Sequence, residues 1–288
     1  MTLRGTHLTA VAILATLGLA GCDNAAKDRE AIESLDGLNV IDESGLNDIM
    51  LNFADPNAAA NYFRNALNNE PTRIDFKRGY ARSLMRAHRS AEAVLAYEQM
   101  NAAGEMNNDD RLSYSEALLQ NGDWAKAEAQ LNAIPPTVET YDRYRLEAMM
   151  ADYHKDWKKA DSFYETARGL TTRPAAILNN WGISKMSRKD FKGAEGKFVQ
   201  AISFNPKLFS AKNNLVISRA NRKIYDLPVV PMTGIEKAQL LHNMALQAIR
   251  NGDVQTGRGL LEEAVDTHPQ HFPEAVRKLA ALERNVAR

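Results

Sequence analysis

The chain has 288 residues, of which 44% are hydrophobic and 25% are charged, and its formal net charge is zero. This balance gives no general electrostatic attraction to polyanions, so no nucleic-acid partner is predicted. A single cysteine excludes an intramolecular disulfide and a metal site built from several thiolates. The fold must therefore be stabilised by burial of apolar side chains.

The N-terminus has the pattern of a bacterial lipoprotein export signal. Arg4 precedes an uncharged apolar run over residues 8–19, and the small residues Ala20 and Gly21 stand directly before Cys22. The run is shorter than the roughly 20 residues of a membrane-spanning helix, and it ends at a cleavage site followed by a thiol. We expect a signal peptide over residues 1–21 and a covalent lipid on Cys22.

Residues 22–39 are the expected lipidated N-terminus and spacer. Small and charged side chains dominate this stretch, a composition typical of a flexible linker. Two or three acyl chains hold a protein on a membrane where one chain does not. The remainder is expected to face the periplasm from the outer membrane, although Asp23, which disfavours outer-membrane sorting in enteric bacteria, leaves the choice of membrane open.

A repeated pattern beginning near residue 40 sets the expected fold. A small residue is followed four positions later by a large one and seven positions later by another small or apolar one. The leading small residues are Ala59, Ala93, Ala127, Ala160, Ala194 and Gly257. Their first four intervals are 34, 34, 33 and 34 residues, the period of the tetratricopeptide helix–turn–helix repeat. We predict an all-α, right-handed superhelical solenoid over residues 40–288.

The unit led by Ala194 shows the remaining marks of the motif. Trp181 and Gly182 occupy the large and small sites of its first helix, and Phe198 is the large residue of its second helix. A small residue lets two helices approach closely, and an aromatic ring fills the gap, so these side chains are predicted core. Turns between the paired helices are predicted at residues 121–123, 155–156, 188–190 and 251–253.

Two interruptions are predicted. Pro135 and Pro136 should shorten the second helix of the third unit. The proline-rich residues 226–232 replace an expected second helix, and their apolar side chains, Leu227, Val229, Val230 and Met232, are interpreted as a cover for an exposed flank rather than as a docking surface. Thr233 and Glu236 form a capping-box pattern that begins a new helix through Ile249. A C-terminal capping helix is expected from Glu274 to about Ala287.

The sequence offers no pattern for catalysis. Gly-rich phosphate loops, zincin patterns and nucleophile elbows are absent from it. His268 and His271 are three residues apart in a loop, but solvated loop histidines are commoner than metal ligands, so no metal and no cofactor other than the lipid is expected. Asp109-Asp110 and Glu262-Glu263 are interpreted as helix starts and solvated faces. We predict neither an enzyme nor a small-molecule substrate.

Three asparagines are candidates for peptide binding. Asn180, Asn214 and Asn243 occupy one equivalent position in three successive first helices. Carboxamides offer a donor and an acceptor to a peptide backbone, so a ladder of them can bind an extended segment. The alternative is that asparagine stands at this position for structural reasons.

The last third of the chain resembles the Tad/Flp pilus assembly lipoproteins of the TadD family, which are tetratricopeptide-repeat lipoproteins. The resemblance lies in residues 211–215 (AKNNL), 227–233 (LPVVPMT) and 237–271. It implies a periplasm-facing adaptor that helps the secretin, or another component, of a Tad (type IVb) pilus reach or assemble in the outer membrane. Only the acylated Cys22 is carried over. A general outer-membrane protein assembly lipoprotein and an accessory of cell-wall enzymes remain alternatives.

Overall fold

The computed structural model describes residues 43–286, so the predicted signal peptide, Cys22 and the spacer lie outside the described residues. Within that range all regular structure is α-helical. The helices are α1 (Glu43–Asn52), α2 (Pro56–Asn69), α3 (Ile74–Arg86), α4 (Ser90–Ala102), α5 (Asn108–Gln120), α6 (Trp124–Asn132), α7 (Tyr141–Tyr153), α8 (Trp157–Gly169), α9 (Ala175–Ser187), α10 (Phe191–Phe204), α11 (Phe209–Ala220), α12 (Gly234–Arg250), α13 (Val254–Thr267) and α14 (Pro273–Val286). None of these described helices is both long and apolar enough to span a membrane.

The chain divides into two compact units, with the boundary after Glu105. The first unit contains α1 to α4. In it, the Arg86 guanidinium donates hydrogen bonds to carbonyl oxygens at the end of α1 and just beyond it, those of Met50, Leu51 and Ala54. Because the last carbonyls of a helix lack partners within it, Arg86 supplies the C-terminal cap of α1.

The predicted repeat is confirmed in both units. All five leading alanines are completely buried in second helices, and Gly257 is buried at the same place in α13. A methyl group placed on Gly182 would overlap the Phe198 ring, and one placed on Gly79 would overlap the Phe63 ring. Each ring therefore lies directly against bare backbone of the neighbouring helix.

The turns within the hairpins share one geometry. A residue in the left-handed region, with φ between 58° and 86°, follows the first helix at His88, Gly122, Lys155, Lys189 and Gly252. The next backbone N–H bonds to the carbonyl five residues back, as in Asp190 to Lys185 at 2.9 Å. This is the Schellman closure of a helix C-terminus, and it confirms the four predicted turns.

Both predicted interruptions are present in the second unit. Helix α6 has nine residues and ends at Asn132, before the proline pair. No helix forms between Asn221 and Thr233, the stretch where a second helix was expected. Helix α12 then starts with a capping box in which Thr233 and Glu236 each bond the backbone N–H of the other.

The proline-rich segment covers apolar surface with three of its four large side chains. Leu227 and Met232 pack against the hydrophobic cluster of α11 to α14, and Val230 packs against the cluster of α7 to α11. These contacts agree with the predicted cover. Val229 departs from the prediction, because its side chain is fully exposed.

The predicted C-terminal cap is α14, which begins one residue earlier than expected. Pro273 is its first residue, a position where the missing N–H of proline costs nothing. Leu279 and Leu282 pack against the α11 to α14 cluster, and Arg277 is exposed. The helix thus presents an apolar face to its neighbour and a charged face to water.

Candidate peptide-binding groove

The first helices α7, α9, α11 and α12 carry two rows of side chains at equivalent positions of the repeat. One row contains Met149, Ile183, Ile217 and Leu246, and the other contains Asn180, Asn214 and Asn243, each three residues earlier on its helix. Residues three apart are neighbours on one helix face. In repeat arrays the first helices line the binding surface, so this face is the candidate site.

The asparagines bond one another in a staggered pattern. The side-chain nitrogen Nδ2 of Asn214 donates to Asn179 Oδ1 at 3.1 Å. In the same way, Asn243 Nδ2 donates to Asn213 Oδ1 at 2.7 Å. Each pair joins two successive first helices. The predicted carboxamides therefore reach the residue before the equivalent position rather than the equivalent residue itself.

Asn179 and Asn213 are the residues that sequence reasoning missed. The signal was present in the sequence as two Asn-Asn doublets 34 residues apart. Asn179 is buried and Asn213 is partly buried, so the doublets connect helices as well as line the face. Every carboxamide in these pairs keeps donors or acceptors that the partner asparagine does not use.

Asn180 lies apart from those pairs and lines a groove of about 450 Å³. The groove lies between α7 and α9, and its other lining residues are Trp124, Met149, Asp152, Tyr153, Tyr164, Ile183, Ser184 and Ser187. The structure therefore places one predicted asparagine at an open groove and the other two in interhelical pairs.

One wall of the groove is aromatic. Trp124, the first residue of α6, stacks on Tyr153, the last residue of α7, with ring centroids 4.4 Å apart and planes 3° from parallel. Tyr153 is 52% exposed. The stacked pair is therefore a rigid apolar surface that remains accessible to a ligand.

A carboxylate lies in the same groove. The Tyr164 hydroxyl donates to Asp152 Oδ2 at 2.7 Å, and the Ser184 hydroxyl donates to Asp152 Oδ1 at 2.6 Å. Burial raises the pKa of Asp152, and the two hydroxyls oppose that rise by bonding the ionised form. Burial, with the Asp152 charge beside it, also raises the pKa of Tyr164, so this phenol stays a donor.

Side chains predicted as core lie in the core. Trp181 is 7% exposed and Phe198 is completely buried. The Trp181 indole N–H donates to Asp161, and the Lys197 ammonium lies 3.2 Å from the Trp181 ring centroid. The aromatic sites of this repeat thus stabilise the helix pair.

His268 and His154 contact neighbouring protein groups. His268 Nδ1 lies 2.8 Å from the Gln270 carbonyl oxygen, and its ring stacks on Phe272. His154 Nε2 lies 3.1 Å from Glu128 Oε1 beside a second cavity of about 390 Å³. Within residues 43–286, no three His, Cys, Asp or Glu side chains converge as metal ligands do.

Comparison with known proteins identifies the fold. No protein-family model and no curated protein matches the chain. The solved structures similar to it include the APC/C hetero-tetramer Cut9–Hcn1, with 12% identity and a TM-score of 0.57 over 83% of this chain and 47% of that one. They also include the human IFIT1 dimer with PPP-AAAA, with 14% identity and a TM-score of 0.55 over 79% of this chain and 59% of that one. A tetratricopeptide repeat protein from Parabacteroides merdae has 12% identity and a TM-score of 0.51 over 80% of this chain and 93% of that one. The chain spans about half the length of the first of these. The described helices therefore form a tetratricopeptide-repeat solenoid.

Proposed function

We propose that this protein is a non-enzymatic, lipid-anchored adaptor that faces the periplasm and binds protein partners along the first-helix face of its second unit. The observation that supports partner binding is the double row of carboxamides and aliphatic side chains on α9, α11 and α12. Carboxamides can bond a peptide backbone at every repeat without selecting its side chains, and the aliphatic row supplies apolar contact beside them.

We further propose that its partner is the secretin, or another component, of a Tad (type IVb/Flp) pilus, and that it acts as a pilotin does. This step rests on the resemblance of residues 211–215, 227–233 and 237–271 to the TadD family. A lipid on Cys22 would hold the groove at the membrane. Tethering raises the local concentration of a bound partner, so a modest groove affinity becomes effective there.

Deletion of the gene tests the pilotin role. We expect secretin multimers to disappear from the outer-membrane fraction, and a plasmid copy to restore them. A Cys22→Ala variant should fail to restore them and should also fail to incorporate palmitate. Normal multimers at the outer membrane of the deletion strain would refute the pilotin role, and palmitate incorporation into the variant would refute the anchor.

Substitution of the asparagines tests the groove. The triple variant Asn180→Ala, Asn214→Ala, Asn243→Ala should bind the secretin at least tenfold more weakly while its helical circular dichroism is unchanged. The matched control replaces Asn65, Asn68 and Asn69 by alanine, three exposed asparagines of α2. Equal secretin affinity in the two triple variants would reject these carboxamides as the binding row.

A further inference from the structure

The groove between α7 and α9 contains a carboxylate, Asp152, that forms no ion pair with any residue the structure describes. Asp152 is only partly exposed. Its two oxygens accept one hydroxyl hydrogen bond each. A carboxylate has about four acceptor sites, so each oxygen can accept another hydrogen bond from a ligand.

The basic side chains near Asp152 bond other groups. Arg188 is the basic side chain whose charge acts most strongly on Asp152, but its guanidinium bonds Asp161 and the Trp157 carbonyl oxygen. Lys185 pairs with Asp190 at 3.2 Å. The Asp152 carboxylate is therefore bonded by two neutral hydroxyls and by no cation, and the Arg188 charge acts on it only from a distance.

The remaining lining suits a long side chain with an aliphatic stem. Trp124 and Tyr153 form the stacked wall, and Met149 and Ile183 add apolar surface. A cation over the face of an aromatic ring is attracted by the ring's quadrupole, and the attraction grows as the cation is desolvated. Lysine and arginine bury such stems while keeping a charged head at a polar partner.

We propose that this groove binds a lysine or arginine side chain of a protein partner, with its cationic head at the Asp152 carboxylate and its stem along Trp124, Tyr153 and Ile183. A purely apolar side chain would take water from Asp152 without supplying a counter-charge. Burial of an uncompensated charge costs more free energy than the apolar contact returns. Charge complementarity therefore selects a basic residue.

The test is a titration of the detergent-solubilised full chain with two small probes. The first is lysine capped as its N-acetyl methylamide, and the second is norleucine capped in the same way, which has the same stem without the ammonium group. Ligand-observed saturation-transfer NMR reports binding of each probe and contact between its methylene protons and the protein. We expect saturable binding of capped lysine and at least tenfold weaker binding of capped norleucine.

Substitutions then locate the binding site. Asp152→Asn should weaken capped lysine at least tenfold, while Asp142→Asn, which removes an exposed carboxylate from the same helix, should leave it unchanged. Tyr153→Leu changes an exposed residue and so preserves the fold. It should weaken capped lysine severalfold and leave capped norleucine unaffected.

Several results would overturn the proposal. They are the absence of saturable lysine binding, equal affinity for norleucine, an unchanged lysine affinity in Asp152→Asn, and an unchanged lysine affinity in Tyr153→Leu. Equal norleucine affinity would identify an apolar pocket instead.

This inference rests on the proposed function, but the two can fail separately. If the triple asparagine variant loses the secretin while Asp152→Asn leaves capped lysine binding unchanged, the adaptor stands and the basic-residue pocket does not. If the lysine probe behaves as expected while secretin multimers form normally without the protein, the pocket stands and the pilus role does not.

Discussion

The hairpin of α9 and α10 and the incomplete unit that begins with α11 start in the same way and end differently. Both first helices close with a lysine at positive φ, Lys189 and Lys223, and both make the Schellman hydrogen bond in the next residue. After Lys189 comes Asp190, whose carboxylate accepts from the Gly193 N–H at 2.9 Å and caps α10. After Lys223 comes Ile224, which has no side-chain acceptor.

This difference shows that the turn and the second helix are specified separately. The turn follows from the end of the first helix, whereas the second helix also needs a stretch with no proline beyond its first turn. The segment after α11 does not meet this requirement, since Pro228 and Pro231 lie four and seven residues after Ile224. Its place is held by polar links to the next hairpin: Tyr225 donates to Asp253, and Lys223 pairs with Asp253 at 3.2 Å.

The largest expected effect compares a ring of the complete hairpin with an apolar residue of the incomplete unit. Phe198→Ala should lower the free energy of unfolding by about 4 kcal/mol, because it leaves a cavity in a completely buried site. Met232→Ala should lower it by about 1 kcal/mol, since Met232 is only partly buried. Urea titration followed by circular dichroism measures both. Equal losses would mean that the proline-rich segment is as tightly held as a helix.

A second comparison uses two glycines of the same hairpin. Gly182→Ala should destabilise the protein by about 2 kcal/mol, because the added methyl overlaps the Phe198 ring. Gly196→Ala is the control: nothing lies within 4 Å of the added methyl, so it should stabilise by about 0.5 to 1 kcal/mol through helix propensity. Stabilisation by both substitutions would contradict the close approach of α9 and α10.

The ion pair that anchors the incomplete unit gives a smaller effect. Lys212 is 2% exposed, and its ammonium lies 3.0 Å from Glu236 Oε1. Glu236→Gln keeps the cap to Thr233 but removes the counter-charge, and it should cost about 1.5 kcal/mol. Glu263→Gln, which changes an exposed pair with Lys237, should cost less than about 0.5 kcal/mol.

The same pair sets a dependence on pH. The Thr233 N–H and then the Lys212 ammonium hold the pKa of Glu236 below its usual 4.5. A lowered folded-state pKa gives stability that is complete above the unfolded pKa and is lost as pH falls through the folded value. The urea midpoint should therefore drop more steeply below about pH 4.5 in the wild type than in Glu236→Gln. Parallel pH profiles would exclude this carboxylate as the cause.

The smallest effect concerns the two matching turns. Glycine accepts positive φ without the steric cost that lysine bears, so Lys189→Gly should stabilise by about 0.5 to 1 kcal/mol. Lys223→Gly should stabilise by less, because it also removes the ion pair with Asp253. Lys192→Gly, inside α10, should destabilise by about 1 kcal/mol. Thermal unfolding by differential scanning calorimetry measures these shifts. An equal gain at both sites would show that the Lys223–Asp253 ion pair adds nothing to stability.

Local signals gave most of the fold. The interval between small residues located the hairpins, Pro135 and Pro136 located the short α6, and Thr233 with Glu236 located the start of α12. The proline and capping-box signals act within one or two turns of the chain, and the repeat interval recurs about every 34 residues. Such effects are readable from sequence because the interacting groups are close in it.

The groove was less predictable because its parts come from distant elements. Trp124 and Tyr153 are 29 residues apart in the sequence. Their rings meet only because the first residue of α6 lies beside the last residue of α7 in the folded protein. No sequence pattern indicates that the Asp152 carboxylate on α7 accepts hydrogen bonds from Tyr164 on α8 and Ser184 on α9. Lysine is rarely buried, yet Lys212 is 2% exposed because its ammonium pairs with the capping Glu236. Tertiary packing decides all of these placements.

Helix α11 contributes to two hydrophobic clusters at once. Ala211 and Leu215 belong to the cluster of α7 to α10, while Val216 and Ala220 belong to that of α12 to α14. No second helix of its own reinforces this junction. In a linear array each element is coupled only to its neighbours, so opening stops or spreads at the weakest coupling. Backbone amides of α12 to α14 should therefore exchange hydrogen as a separate cooperative block, one that can detach while the α7 to α10 layers stay closed.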